Sequence, residues 1–291
     1  MSNDTATQAI AVIDLRKQVR AANAKAVARV VGKSMLVGFS TFVIVFAIWM
    51  GLVLFADISS YILKSPLDVW EFLVTDEDSA TNRQTIADLL AVTMRHAGTG
   101  FIAGLAVAIV GAILFRISRG IESALMPFAT LLRSVPLIAM APIIILIFGF
   151  GTDASVAVIG GIVVLFPALV TIAFGLKSAS PQMLDVISVY GGNVFTAVRK
   201  VALPGALPSL FAAIRISVPG AVTGALLSEM LSTGDGIGSA TATYAASARF
   251  TEVWACIVVV TVISLLIYTV VQILESIALT RMGMNPDRKS G

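Results

Sequence analysis

Apolar residues in this chain run in blocks about as long as the hydrocarbon core of a bilayer is thick, and this sets the solvent for most of the fold. The first block runs from Met35 to Ala56, and others fall at about 97–115, 122–149, 155–176, 209–231 and 252–275. At 1.5 Å of rise per residue, about 20 residues of helix cover the roughly 30 Å core. Inside lipid the backbone must satisfy its own polar groups, so helices are the economical solution. The composition agrees, with 57% hydrophobic and 13% charged residues over a length of 291, about half the charged fraction of a soluble domain. The predicted fold class is all-α: a polytopic membrane protein with about six transmembrane helices. One membrane domain, 35–276, is expected between a basic segment, 1–34, and a short tail, 277–291.

Charge sets the expected orientation. Arg16, Lys17, Arg20, Lys25, Arg29 and Lys33 precede the first block, whereas Asp57, Asp68, Glu71, Asp76, Glu77, Asp78 and Asp88 follow it. Arg116 and Arg119 follow the second block, and Lys177, Arg199 and Lys200 lie between the fourth and fifth. Arg281, Arg288 and Lys289 mark the tail. Basic loops stay in the cytoplasm, so both termini are expected there. Residues 10–31 read either as a basic amphipathic helix on the cytoplasmic leaflet or as a partly ordered tail. The block from Met35 is too long for a signal peptide and reads as an uncleaved first span.

Several chemistries are disfavoured. The basic residues are not interleaved with aromatics, so no nucleic-acid footprint is present. Cys256 is the only cysteine, which rules out an intrachain disulfide and a cysteine-based metal site. His96, the only histidine, sits at a block edge and reads as interfacial. Gly32-Lys33-Ser34 resembles the end of a phosphate-binding loop, but Val27 occupies the position of its first glycine. No catalytic set, cofactor or metal site is expected, and energy for any active process must come from a partner or an ion gradient.

Within the spans, Gly100 and Gly104 form a GxxxG pair, and Ala212, Ala213, Ala221, Gly224 and Ala225 populate the fifth block, both suited to close helix contact. Pro219-Gly220 is expected to kink the fifth span, which either lines a pathway or packs tightly. Arg215 reads as a structural residue that snorkels to the cytoplasmic face. Charges in spans are functional hypotheses by default. Arg133, beside Pro136, either attracts an anion or bonds free carbonyls at a helix end. Glu229 either pairs with a basic residue, serves a gate, or is simply interfacial.

The segment 177–208 is the least apolar internal stretch after the 149–153 turn. Apolar residues recur at Met183, Val186, Ile187, Val194, Phe195 and Val198, and Gly191-Gly192 divides the run into two short helices. Asp185 suits the first helix's N-terminal part, and Arg199 and Lys200 suit the second's C-terminal end. Leu203-Pro204 is expected to stop the helix. Such a pair is too short to cross a membrane; it either docks on a soluble partner or lies at the interface.

This segment resembles the cytoplasmic EAA loop of binding-protein-dependent ABC permeases, whose pattern is E-A-A, a glycine, and I-x-L-P. Asp185, Val186 and Ile187 fall on the triplet, Gly191 on the glycine, and Val201, Leu203 and Pro204 on the last element. Asp in place of Glu and Val-Ile in place of Ala-Ala are the departures. Ser65-Pro66 with Val69, Leu132–Pro136, Phe148–Gly151, Arg215-Ile216 and Ser228–Met230 resemble, in order, stretches of the nitrate/sulfonate/taurine branch. The resemblance implies a permease dimer (a homodimer or a pair with a paralogue), two ATP-binding ABC subunits and an extracytoplasmic substrate-binding protein. It implies ATPase coupling through Asp185, Val186, Ile187, Gly191, Gly192, Val194, Phe195, Val198, Val201, Leu203 and Pro204. Arg133, Pro136, Pro219, Gly220 and Glu229 are the candidate pathway residues. The rival reading is a gradient-driven secondary transporter, which calls for inverted repeats and membrane-embedded carboxylates; only Glu229 qualifies, and no internal repeat is seen.

Overall fold

The computed structural model describes residues 32, 36, 38, 40–55 and 57–282, without the side chains of Leu132 and Arg133. The expectation for residues 10–31 lies outside the described residues, as does that for most of the tail. Every regular element among the described residues is helical, as the apolar blocks require. Two units are distinguished: Met50–Val271, and the two ends, Met1–Trp49 with Gln272–Gly291. In the end unit Leu279 and Thr280 are buried, and Thr280 Oγ1 donates to the Ser276 carbonyl at 2.7 Å.

Helix α1 (Ser40–Phe55) is a short apolar helix that matches the first block. Helix α2 (Pro66–Trp70) follows, opened by a capping box in which Ser65 Oγ accepts from Asp68 N–H and Asp68 Oδ2 accepts from Ser65 N–H. A wider π-helical turn, Glu71–Thr75, leads to the exposed run Asp76–Asp78. Helix α3 (Ser79–Ile117) has 39 residues, about 58 Å of helix. It therefore starts well before the second apolar block, because its first half is polar on the outside and invisible to hydropathy. The third block is two helices, α4 (Arg119–Ser134) and α5 (Leu137–Phe148), parted at Val135-Pro136, with Pro136 extended at the α5 N-cap. Gly149 and Gly151 take positive φ, and Thr152 caps α6 (Asp153–Lys177) by accepting from Ser155 N–H.

Helices α7 (Pro181–Val189) and α8 (Val194–Ala197) fill the expected two-helix loop. A π-helical turn, Val198–Ala202, and a short turn α9 (Leu203–Gly205) then join α10 (Leu207–Ser228). Another π-helical turn, Glu229–Thr233, leads to α11 (Gly236–Ala246) and finally to α12 (Phe250–Arg281). The helices α3, α6, α12 and the run Leu207–Thr233 are long and apolar enough to cross a membrane; α1 and α5 are shorter apolar helices. Helix α12 faces outward along most of its length, with Leu265, Leu266, Val270 and Leu274 exposed, as expected of a lipid-facing or subunit-facing helix.

The core is the mutual packing of α3, α6 and α10. Glycine makes it possible. Gly100 and Gly104 of α3 face Gly160 and Gly161 of α6, and Gly224 of α10 closes on Gly160. A Cβ built on Gly100 would lie 2.9 Å from Gly160 Cα, and one on Gly224 would lie 2.7 Å from the same atom. Backbones thus touch directly, the arrangement small residues permit in lipid. The sequence pair Gly100/Gly104 is confirmed as a contact face, and Gly160-Gly161 supplies its unforeseen partner. Toward the other end Ala108, Ala112 and Phe115 of α3 pack with Leu169, Ile172 and Leu176 of α6 and with Ala202, Ala206 and Ala213.

Candidate functional site

The two-helix segment is held at its base and bare at its tip. Pro181 opens α7 and Asn193 caps α8, its Oδ1 accepting from Thr196 N–H at 2.9 Å. Between them Gly191 adopts φ +74, where a side chain is strained. The Gly192 N–H donates to the Ile187 carbonyl at 2.8 Å, and a Cβ on Gly192 would lie 2.5 Å from Ile187 Cγ2. The two glycines therefore allow a close turn for separate reasons, one conformational and one steric.

Past α8 the side chains turn inward. Val198, Val201 and Ala202 are buried and anchor the segment to α3 and α6, so Val198 and Val201 sit behind the exposed tip rather than on it. Leu203-Pro204 does not stop the helix. The π-helical turn lets Leu203 N–H reach the Val198 carbonyl, and Pro204 sits at the start of α9, where its missing N–H costs nothing. The helical path thus runs from Asn193 toward α10 as a jointed rod. Arg116 Nε donates to the Leu176 carbonyl at 3.1 Å, and Lys177 pairs with Glu122 of α4, tying the neighbouring helix ends together. Met183, Val186, Val189, Tyr190, Val194 and Phe195 remain exposed, Tyr190 at 86% and Phe195 at 62%. Asp185 is exposed and Ile187 half-buried beside them.

A second constellation lies at the opposite end of the bundle. The 22 residues of α10 place Glu229 about 33 Å from the jointed segment. Glu229 is 0% exposed and His96 2%, so His96 is not a merely interfacial residue, and of the three readings of Glu229 the structure shows the pairing. His96 Nδ1 lies 3.0 Å from Glu229 Oε1, and Thr93 Oγ1 donates to Glu229 Oε2 at 3.0 Å. Arg95 approaches His96 Nε2 at 3.4 Å. With a proton on Nδ1, the imidazole donates to the carboxylate. The Gly238 N–H donates to Glu229 Oε2 at 2.8 Å, and the Ile237 N–H donates to Thr93 Oγ1 at 2.9 Å. These amides belong to the first turn of α11, whose own N-cap, Asp235, makes no side-chain bond. Glu229 and Thr93 cap α11 in its place. A Cβ on Gly236 would lie 2.4 Å from the Glu229 carboxyl carbon, so glycine there is what lets the chain close over it. Nearby, Ser155 Oγ and Ser232 Oγ are 3.0 Å apart, and Ser232 Oγ accepts from Gly151 N–H at 3.1 Å.

The remaining candidate pathway residues occupy separate surroundings. Pro136 caps α5, Pro219 is exposed on α10, and Gly220 packs toward Val163 of α6. Arg133 has its backbone in α4, while its side chain lies outside the described residues.

Residues 100–282 match the family described as binding-protein-dependent transport system inner membrane component. The chain belongs to this family. It is a multi-pass membrane protein and a permease subunit of an ABC importer. A probable ABC transporter permease protein of Haemophilus influenzae is 28% identical over 66% of this chain and 75% of its own length. The putative aliphatic sulfonates transport permease protein SsuC of Bacillus subtilis is 25% identical over 80% of this chain and 82% of its own. The formylaminopyrimidine transport permease protein ThiX of Halalkalibacterium halodurans is 30% identical over 61% and 69%. In fold, the permease is similar to the crystal structure of an amino acid ABC transporter with histidines, with a TM-score of 0.53 and 15% identity over 71% of this chain and 98% of that one.

Thr93 and His96 are the site residues that sequence reasoning missed. The signal was present: His96, Gly100, Gly104, Ala108 and Ala112 fall four residues apart, and all are buried on one stripe of α3. A histidine in register with a small-residue stripe faces the helix contact rather than the lipid.

Proposed function

We propose that the permease couples to two ATP-binding subunits through α7, α8 and the jointed rod behind them. The observation that carries this reading is the contrast along 181–206: an apolar tip exposed to solvent, above a base whose Val198, Val201, Ala202 and Ala206 are buried in the bundle. A bare tip invites a partner, and a buried base transmits its motion to α3, α6 and α10. The tip lies in a segment that carries Lys177, Arg199 and Lys200, and basic loops face the cytoplasm, so the tip and the two basic termini are proposed to lie on the cytoplasmic side. ATP hydrolysis then resides on the partner subunits. Two copies of the permease enclose the pathway, and an extracytoplasmic binding protein delivers the solute. The relatives carry names for aliphatic sulfonates, formylaminopyrimidine and riboflavin; a sulfonate, nitrate or related small anion or heterocycle is the proposed cargo.

The test is co-purification with the ABC ATPase subunits proposed as partners, for the wild type and for Val194→Asp with Phe195→Asp. Both side chains are exposed, so the substitutions leave the permease core intact. The expected result is a folded permease that no longer retains the ATPase. Undiminished retention overturns the assignment of the tip.

A further inference from the structure

The buried polar cluster is the largest structural investment that the coupling reading does not use. A carboxylate out of contact with water is stable only when each oxygen is well bonded. Glu229 meets that requirement with groups from two other elements: His96 and Thr93 from α3, and the Gly238 amide from α11. Thr93 adds a direct bond to the Ile237 amide. The carboxylate therefore joins three elements at one point. Gly234, inside the link between Glu229 and α11, and Gly236, the first residue of α11, both take φ +75, which lets the chain turn back over the carboxylate. Asp235, the N-cap of α11, supplies no side-chain cap of its own.

We propose that Thr93, His96 and Glu229 form a latch that seats α11 against α3 and so sets the closure of the transport pathway at the end opposite the coupling tip. They are positioning residues: none is argued to touch solute. The inference rests on the permease reading for its consequence, transport, but the seating of α11 stands on the hydrogen bonds alone.

Ile237, 1% exposed, reports the seat. In a Cys256→Ala background, Ile237→Cys is introduced into the permease held in its complex with the ATPase subunits. Its reaction with a membrane-impermeant maleimide is timed. With the latch intact the thiol is protected. Glu229→Gln keeps the shape but removes the charge that His96 faces, and His96→Leu removes the donor; both are expected to raise the labelling rate about tenfold or more, the scale of one charge-assisted hydrogen bond. His96→Gln restores a donor and is expected to stay protected. ATPase co-purification is measured in parallel and is expected to be unchanged in all three. Equal labelling in every variant overturns the latch. Labelling that rises only in step with lost ATPase also overturns it, because it marks general unfolding. If Glu229→Gln does not assemble, the two His96 variants decide between the same outcomes. Failure of the wild-type chain to retain any ATPase defeats the coupling reading instead and leaves the labelling comparison standing.

Discussion

Two glycines on one helix give the sharpest test of how this bundle is held together. Gly98 and Gly104 both lie within α3, six residues apart, but a Cβ on Gly98 would meet nothing within 4 Å. On Gly104 it would lie 2.4 Å from the Gly161 carbonyl oxygen and 2.8 Å from Val164 Cβ. Ordinary contact begins at 3.4 Å, so the clash is deep by about 1 Å, and its partner is backbone that cannot rotate away. Replacing either glycine by alanine gains the same helix propensity, up to about 1 kcal/mol. That gain cancels when the two variants are compared. What remains is the overpacking at Gly104, about 1–3 kcal/mol. For a chain of this size the difference is on the order of 5 °C in melting temperature. Thermal unfolding in detergent, followed by tryptophan fluorescence, is expected to place Gly104→Ala below wild type and Gly98→Ala at or above it. Gly224→Ala, with 2.7 Å to Gly160 Cα, is expected to fall with Gly104→Ala. If Gly104→Ala melts with Gly98→Ala, α3 and α6 are not in backbone contact, and the packing derived above is wrong.

Other substitutions test other parts of the account. Glu229→Ala strips a buried histidine and a buried amide of their acceptor and is expected to cost about 3–5 kcal/mol, with Glu229→Gln costing less because its amide oxygen still accepts from Gly238; the same melting experiment orders them. Gly191→Val meets open space but is forced to hold φ +74, which costs roughly 1–2 kcal/mol from backbone strain alone and is read as weakened ATPase retention at the tip. Lys177→Ala removes an ion pair whose lysine is largely exposed; its effect on melting is expected to stay under about 1 kcal/mol.

What could be read from the sequence followed the range of the physical signal. Apolar blocks gave the helices, because bilayer thickness acts on contiguous residues. The turn at Gly149–Thr152 and the split at Gly191-Gly192 were legible because caps and positive φ are local. Helix α3 was cut short at residue 97, since its polar first half carries no hydropathy signal although it continues the same helix. Helix α11 was hidden in a Gly-, Ser- and Thr-rich stretch, because its N-terminus is capped by Thr93 and Glu229 rather than by a neighbour. The pairing of His96 with Glu229 spans 133 residues, a distance at which no periodicity speaks. The stop assigned to Leu203-Pro204 failed for a different reason: a π-helical turn absorbed the proline, and single-residue rules assume an α-helical ladder. Val198 shared the loop's apolar pattern and Val201 came with the family motif, but neither signal says whether an apolar side chain meets a partner or the chain's own core.

The most direct test of the central claim is ATP-driven uptake by the reconstituted complex of permease, ATPase and binding protein in proteoliposomes, measured for the wild type and for Val194→Asp with Phe195→Asp. The account predicts ATP-dependent accumulation of the binding protein's solute by the wild type. It predicts loss of that accumulation in the tip variant, with the permease still folded by its melting temperature. Uptake that persists in the tip variant, or that proceeds on an ion gradient without ATP, contradicts it.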